Sequence, residues 1–318
     1  MAVEVARALM TAFATRTGLD GERPPRRYLW TDAFAVPNFL ALGDVVRARR
    51  LVDAVHAELG RGATGGGLRI GKPLPERGRD ETYDSRLEWE RDGQYFHYLT
   101  KWMHALAEMS RATADPELLL RARALASTAH AAFVYGAPGR RRMYWKMSVD
   151  LSRPQVPSMG HHDPLDGYVT ALELGDLPAM AADFRGMIDP DGLATDDALG
   201  LGGLLVDAAR LTTLRVDPPL RDALVVAAVT GLRAFAAQGE LGARVERRLA
   251  FRELGLAIGL LAVRGLDVAR SVEPYQALGR RILDTWTAEA SRASMTYEDH
   301  LDINDVMLAT ALLGVSGR

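Results

Sequence analysis

The chain of 318 residues contains no cysteine, which excludes disulfide staples and thiolate metal sites and argues against a small cross-linked secreted scaffold. It also lacks an excess of either charge. With 39 basic and 41 acidic residues, a formal net charge of -2, there is no electrostatic reason to expect nucleic acid or an anionic membrane as partner. No stretch reaches the roughly 18 to 20 uncharged apolar residues of a membrane span. The opening residues MAVEVARALMTAFATRTG carry Glu4 and Arg7 inside their apolar pattern, so the continuous core of a signal peptide is missing. The expected address is cytoplasmic and the expected partner a saccharide or other small molecule, with the oligomeric state left open. Lysine is scarce as well: Lys72, Lys101 and Lys146 are the only three, so 36 of the basic residues are arginine. All three lie in or beside polar, aromatic segments, where an ammonium and a guanidinium are not interchangeable.

What the sequence has in abundance is helical periodicity. Apolar residues recur at three- and four-residue spacing almost throughout, while alternating runs bounded by turns are few. With caps, glycine and proline as punctuation, helices are predicted near 2–16, 31–42, 44–59, 92–113, 116–135, 164–174, 176–186, 197–213, 218–237, 247–264, 274–290 and 300–314. Asp44, Asp115 and Asp217 are the expected N-caps of three of them, the last two followed by proline. Every second helix starts polar or aromatic and then turns apolar on all sides, as in WTDAFAVPNF, ERDGQYFHYLTKW, HHDPLDGYV, DDALGLGGLL, FRELGLAIGLL and EDHLDINDVMLATALL. Those between, such as ELLLRARALASTAHAAF, are amphipathic with arginine-studded faces. A helix apolar all round is an inner one and a striped helix an outer one. The alternation predicts an all-α fold of six helical hairpins closed into an (α/α)6 toroid, a single domain spanning 1–318, with an open helical solenoid as the competing arrangement. Gly200, Gly202, Gly203, Gly255 and Gly259 would let inner helices approach closely.

Two long connections, 60–91 and 136–163, both run from an outer helix to an inner one, and so are expected over the polar starts of the inner helices. GRRRMYWKMSVDL in the second reads as a short hairpin. Aromatic residues gather in the same segments, and Trp30, Trp89 and Trp145 offer flat faces for stacking on sugar rings. Tyr98 and Trp102, four residues apart, read as packing. Carboxylates recur there too. Asp197 and Asp299 read as caps, whereas Glu90 and Asp92, set among aromatics in RLEWERDGQYFHY, sit where a low local dielectric shifts a carboxyl group. PSMGHHDPLDGY places His161, His162, Asp163 and Asp166 in a punctuated turn entering an inner helix. Metal binding by these with His300 and Asp302 has no HExxH or comparable spacing behind it, and no metal or cofactor is expected. There is no G-x-S-x-G elbow and no aspartate-rich terpene-synthase motif, and Asp302-Ile-Asn-Asp305 only loosely echoes the acidic run of protonating terpene cyclases.

The twelve-helix alternation with aromatic and acidic inner-helix starts resembles the six-hairpin glycosidase-like superfamily, which includes inverting glycosidases, unsaturated glucuronyl hydrolases and the N-acylglucosamine 2-epimerase group. The resemblance implies acidic residues at the mouth of a ring. Asp92 and Asp163 are the nearest match by position, on the second and third inner helices. The epimerase branch would use paired histidines on later inner helices, and FRELGLAIG offers none. Glycoside cleavage needs one protonated and one ionised carboxyl group. The expected function is therefore glycoside hydrolysis with Asp92 and Asp163 as acid and base in unassigned order, Glu90 and His162 in support and Asp302 as a third carboxylate. Trp30, Trp89 and Trp145 would stack on the substrate, while Asp32, Gln94, His97, Lys146, His161, Asp166 and His300 would orient it. The alternatives are a sugar epimerase or isomerase of the same fold, a non-catalytic saccharide or small-molecule binding protein, and a terpene-cyclase-like enzyme.

Overall fold

The structure, a computed structural model, describes residues 2–21, 23–63 and 65–314. The chain opens with helix α1 (Ala2–Arg16). Ala14–Ile188 packs as one compact unit, and the chain through Phe13 together with that from Asp189 packs as another. The Ala14–Ile188 unit holds α2 (Leu29–Ala41), α3 (Val45–Leu59), the short α4 (Ser85–Glu90), α5 (Phe96–Thr113), α6 (Pro116–Phe133), α7 (Asp163–Leu174) and α8 (Pro178–Arg185). The other holds α9 (Ala198–Leu214), α10 (Pro218–Gln238), α11 (Ala250–Ala262), α12 (Ala269–Val272), α13 (Gln276–Thr287), α14 (Glu289–Arg292), α15 (Met295–Glu298) and α16 (Leu301–Leu313). Among the described residues, the twelve helices of eight or more residues are the twelve expected from periodicity. None is long and apolar enough to cross a membrane.

The signals that start these helices act as capping chemistry requires. Asp44 accepts from the Arg47 N–H at 3.0 Å, Asp115 from Glu117 at 3.1 Å and Asp217 from Leu220 at 3.2 Å, each typically worth about 1 kcal/mol to its helix. Asp197 caps α9 through the Gly200 N–H at 2.9 Å. Asp299 does not cap α16, whose N-cap is His300 with no side-chain capping bond.

Inner and outer helices are distinct in both units. In Ala14–Ile188, α5 lies between α2 and α7, while α3, α6 and α8 pack on their outer sides. Nearly all of the first ten residues of α2 are buried, as its all-round apolarity demands. In the other unit α11 lies between α9 and α16, with α10 against α9 and α13 against α11. There the inner backbones touch through glycine: a Cβ on Gly202 would lie 2.0 Å from the Gly255 carbonyl oxygen. Only a residue without a side chain fits that crossing.

The two long connections meet at the start of α5. Gln94 and Tyr95 form β1 (Gln94–Tyr95), which pairs with β4 (Lys146–Met147), and β4 pairs with β5 (Pro154–Val156). β2 (Val134–Tyr135), continuing from α6, pairs with β3 (Arg142–Met143). The hairpin expected within GRRRMYWKMSVDL is therefore corrected. Its two halves separate at Tyr144 and Trp145, because the ends of α6 and α5 supply closer partners for their backbone groups: β3 joins the strand leaving α6 and β4 the strand entering α5.

Candidate functional site

His97, on the first turn of α5, is the centre of an aromatic cluster. Its ring stacks on Tyr95 with centroids 5.4 Å apart and runs parallel to Trp145 at 6.4 Å. Tyr98 and Trp30 meet it edge-on at 4.9 and 6.1 Å. Tyr28, just before α2, closes the group through a 2.7 Å hydrogen bond between its hydroxyl and that of Tyr98. Burial pushes the pKa of Tyr28, Tyr95 and Tyr98 above the ordinary tyrosine value, so all three remain neutral hydroxyls at physiological pH. Tyr98 thus belongs to the cluster, whereas Trp102 is core packing, its indole N–H 3.4 Å from His56 Nε2.

Against this cluster the start of α7 brings Asp163. His97 Nδ1 stands 3.5 Å from Asp163 Oδ1, within reach of charge attraction but not aligned as a hydrogen bond. Asp163 is 4% exposed, and its Oδ2 has no hydrogen-bond partner. Burial pushes its pKa up, with nearby Asp166 acting the same way, and His97 and His162 only partly offset this. Trp30, 7% exposed, likewise leaves its indole Nε1 without an acceptor. One turn along each helix the pairing is complete: Lys101 Nζ on α5 donates to Asp166 Oδ1 on α7 at 2.6 Å. His97 and Lys101 are four residues apart and Asp163 and Asp166 three, so each pair shares a helix face. That spacing is visible in the sequence, yet it did not single out Lys101.

Other residues expected at the site form its walls. Asp92 is buried, and its oxygens accept from Arg69 at 2.8 Å, the Gly71 N–H at 2.9 Å and the Gly93 N–H at 3.0 Å. The sequence offers Asp92 as half of an acid/base pair, but here it clamps the first long connection onto the start of α5. Lys146 is also buried. All three of its ammonium protons are used, by the Glu88 carboxylate at 2.9 Å and by the carbonyls of Glu88 and Arg91 at 2.7 and 2.9 Å. Burial pushes its pKa down more than Glu88 restores it. It adjoins the cluster through β4, where it pairs with Tyr95, and its Nζ lies 5.4 Å from the Tyr95 ring centroid. Gln94 ties the two long connections together, accepting from the Leu68 N–H at 2.9 Å and donating to the Val149 carbonyl at 2.7 Å. Asp32 accepts from the Tyr28 N–H at 3.1 Å and lies 3.4 Å from Arg27.

The remaining residues sit further out. Trp89 is half exposed and meets Trp145 edge-on at 4.6 Å. Glu90 is exposed, and its charge acts on Tyr28, Tyr95 and Lys72. His161 and His162 lie with ring centroids 4.4 Å apart at the entry to α7. His300 and Asp302 belong to the other unit, at the start of α16, where His300 meets Phe251 edge-on at 5.6 Å. Among the described residues, His104, Glu108 and Glu173 present ligand atoms within 4.8 Å of one another, the spacing of a metal site. Arg111, bonded to both glutamates, already supplies the cation there.

No protein-family model matches this chain, and no curated protein matches it. Among solved structures, a family 76 glycoside hydrolase from a bovine Bacteroides thetaiotaomicron strain is similar with a TM-score of 0.62. The match covers 99% of this chain and 77% of that one at 12% sequence identity. At that identity the similarity speaks for the fold alone: all-α, an (α/α)6 toroid of the glycosidase-like kind.

Proposed function

We propose that the protein is a glycoside hydrolase and that its site is the aromatic-walled cluster around His97 and Asp163. The observation that carries this reading is a set of three neighbouring buried polar atoms without partners: Trp30 Nε1, His97 Nδ1 and Asp163 Oδ2. Buried polar groups in folded proteins are nearly always satisfied, because an unmade hydrogen bond costs on the order of 1–3 kcal/mol. Three such atoms within one ring of aromatic side chains are what a site awaiting a hydroxylated ligand would present. The flat faces of Trp30 and Trp145 suit stacking on a sugar ring, and the glycosidase-like fold agrees with that substrate class.

In this reading Asp163, whose proton is held by burial, donates to the leaving glycosidic oxygen, and His97 beside it steadies the carboxylate that remains. Asp166, ion-paired with Lys101, is the ionised partner that orients water. Glu90, Trp89, His161 and His162 would meet the substrate's outer hydroxyls. Asp92, expected as half of the acid/base pair, and Asp32, Gln94 and Lys146, expected to orient the substrate, hold the walls on which these groups stand and act as positioning residues.

The test is a panel of glycosides assayed with the parent and with Asp163→Asn. Release of a reducing sugar by the parent and its loss in the variant support the proposal. Undiminished turnover in the variant removes Asp163 from the mechanism, and saturable binding with no product by mass spectrometry makes the protein a saccharide-binding one.

A further inference from the structure

A cavity lies wholly within the unit that holds the chain from Asp189. It measures about 520 Å³ and opens between the starts of α9 and α11 and the end of α10. Its lining is unlike the aromatic cluster. It has no aromatic side chain, and it combines Arg247, Arg248 and Arg252 with Asp196, Asp197, Glu240 and Glu253, plus Gln238.

Most of these groups are fixed by one another. Arg252 donates to Asp197 from Nε at 2.9 Å and from Nη2 at 2.6 Å, while Asp197 also caps α9. Arg248 grips Glu253 with two bonds of 2.7 and 2.6 Å, and the Trp286 indole N–H adds a third at 2.8 Å. Gln238 donates to Asp196 at 2.8 Å. What remains unspent is mixed. On four solvent-exposed residues, the guanidinium of Arg247 and the carboxylate of Glu240 have no protein partner among the described residues, and the Nη1 of Arg252 and the second oxygen of Asp196 likewise face solvent. Donors and acceptors are thus both left over, on a framework that ion pairs hold rigid.

We propose that this cavity binds a neutral polyhydroxylated molecule, a monosaccharide unit or cyclic polyol, whose hydroxyls accept from Arg247 and Arg252 and donate to Asp196 and Glu240. Each hydroxyl both donates and accepts, so a vicinal pair satisfies the two kinds of unspent group at once. An anion would meet Glu240 and a cation Arg247, and either would leave half the lining unpaired. The volume falls in the range of small-ligand pockets, roughly 300–1,000 Å³. With no aromatic face for stacking, recognition rests on hydrogen bonds alone, and dissociation constants in the millimolar range are expected, on the order of −4 kcal/mol.

The experiment is a ligand-observed NMR titration of the whole chain with methyl α-D-glucopyranoside, methyl α-D-mannopyranoside and myo-inositol. The parent is compared with Arg247→Ala, Asp196→Ala and, as a control in the aromatic cluster, Trp30→Phe. Saturable binding that weakens about tenfold in R247A and D196A but persists in W30F is the expected result, tenfold being the effect of one charged hydrogen bond. Binding unchanged in R247A and lost in W30F would overturn the inference and place the sugar at the aromatic cluster instead. No saturation by any of the three probes would overturn it as well. Because the readout is binding at a site remote from His97 in sequence and independent of turnover, failure of the hydrolase reading leaves this result standing.

Discussion

Asp163 and Glu253 occupy similar places in the two units: each lies in the first turn of an inner helix, and each is buried. Their surroundings are opposite. Glu253 receives two bonds from Arg248 and one from Trp286. Asp163 has only the unaligned imidazole of His97, with one oxygen orphaned. A buried carboxylate with a full set of donors is a structural joint, since its charge is compensated where it stands. One without donors has its pKa pushed up by burial and is a candidate for chemistry.

Substitutions break this comparison in different observables. The largest effect is expected at Asp163→Asn, where loss of a general acid lowers turnover by about 10²- to 10⁴-fold on a confirmed glycoside, measured as kcat. The same change leaves urea unfolding nearly intact, because the asparagine replaces a group already disfavoured as an anion. Glu253→Ala reverses the pattern. It strands Arg248 and the Trp286 N–H and is expected to cost about 3–5 kcal/mol of unfolding free energy. A smaller loss, about 1–3 kcal/mol, is expected for Asp92→Asn, which weakens the clamp on Arg69 and Gly71. Its companion readout is faster amide exchange in residues 68–72, and a large kcat defect without either change would return Asp92 to the chemistry.

The pH dependence sharpens the comparison further. Asp163 holds its proton more tightly folded than unfolded, so its contribution to stability falls as pH rises from the ordinary value of 3.8 through its raised one, and is level above that. Asp163→Asn removes this slope, which denaturation at a series of pH values would show. If Asp163 is the acid, activity declines as pH rises through the same raised value. His97→Gln removes a neighbour that favours the anion, so the alkaline limb of the pH–rate profile moves to higher pH, the smallest of these effects.

The helices were legible because their signals are local. Asp44, Asp115 and Asp217 cap helices a few residues away, and the alternation of all-apolar and striped helices distinguishes inner from outer without knowledge of partners. The candidate site was legible only as a group of segments. Trp30, Trp145, His97 and Asp163 do gather, but Asp92 and Asp163 looked alike in sequence, as acidic residues beside aromatics. Asp92 finds its donors at Arg69 and Gly71, more than twenty positions back, and Asp163 finds none. Lys146 was expected to touch substrate because lysine is so rare. Its acceptors at Glu88 and Arg91 lie in another connection, and no spacing rule links them. The hairpin in GRRRMYWKMSVDL failed for a related reason, since strand partners were available at two helix ends that sequence proximity does not reveal.

By itself the sequence determined twelve helices, which of them lie inside, and the glycines through which α9 and α11 touch, because periodicity, capping and the lack of a side chain act over a few residues. Only the tertiary structure decided which buried carboxylate is compensated and which is left without donors. The physical reason is that solvation and hydrogen bonding in the interior depend on donors brought in from distant parts of the chain.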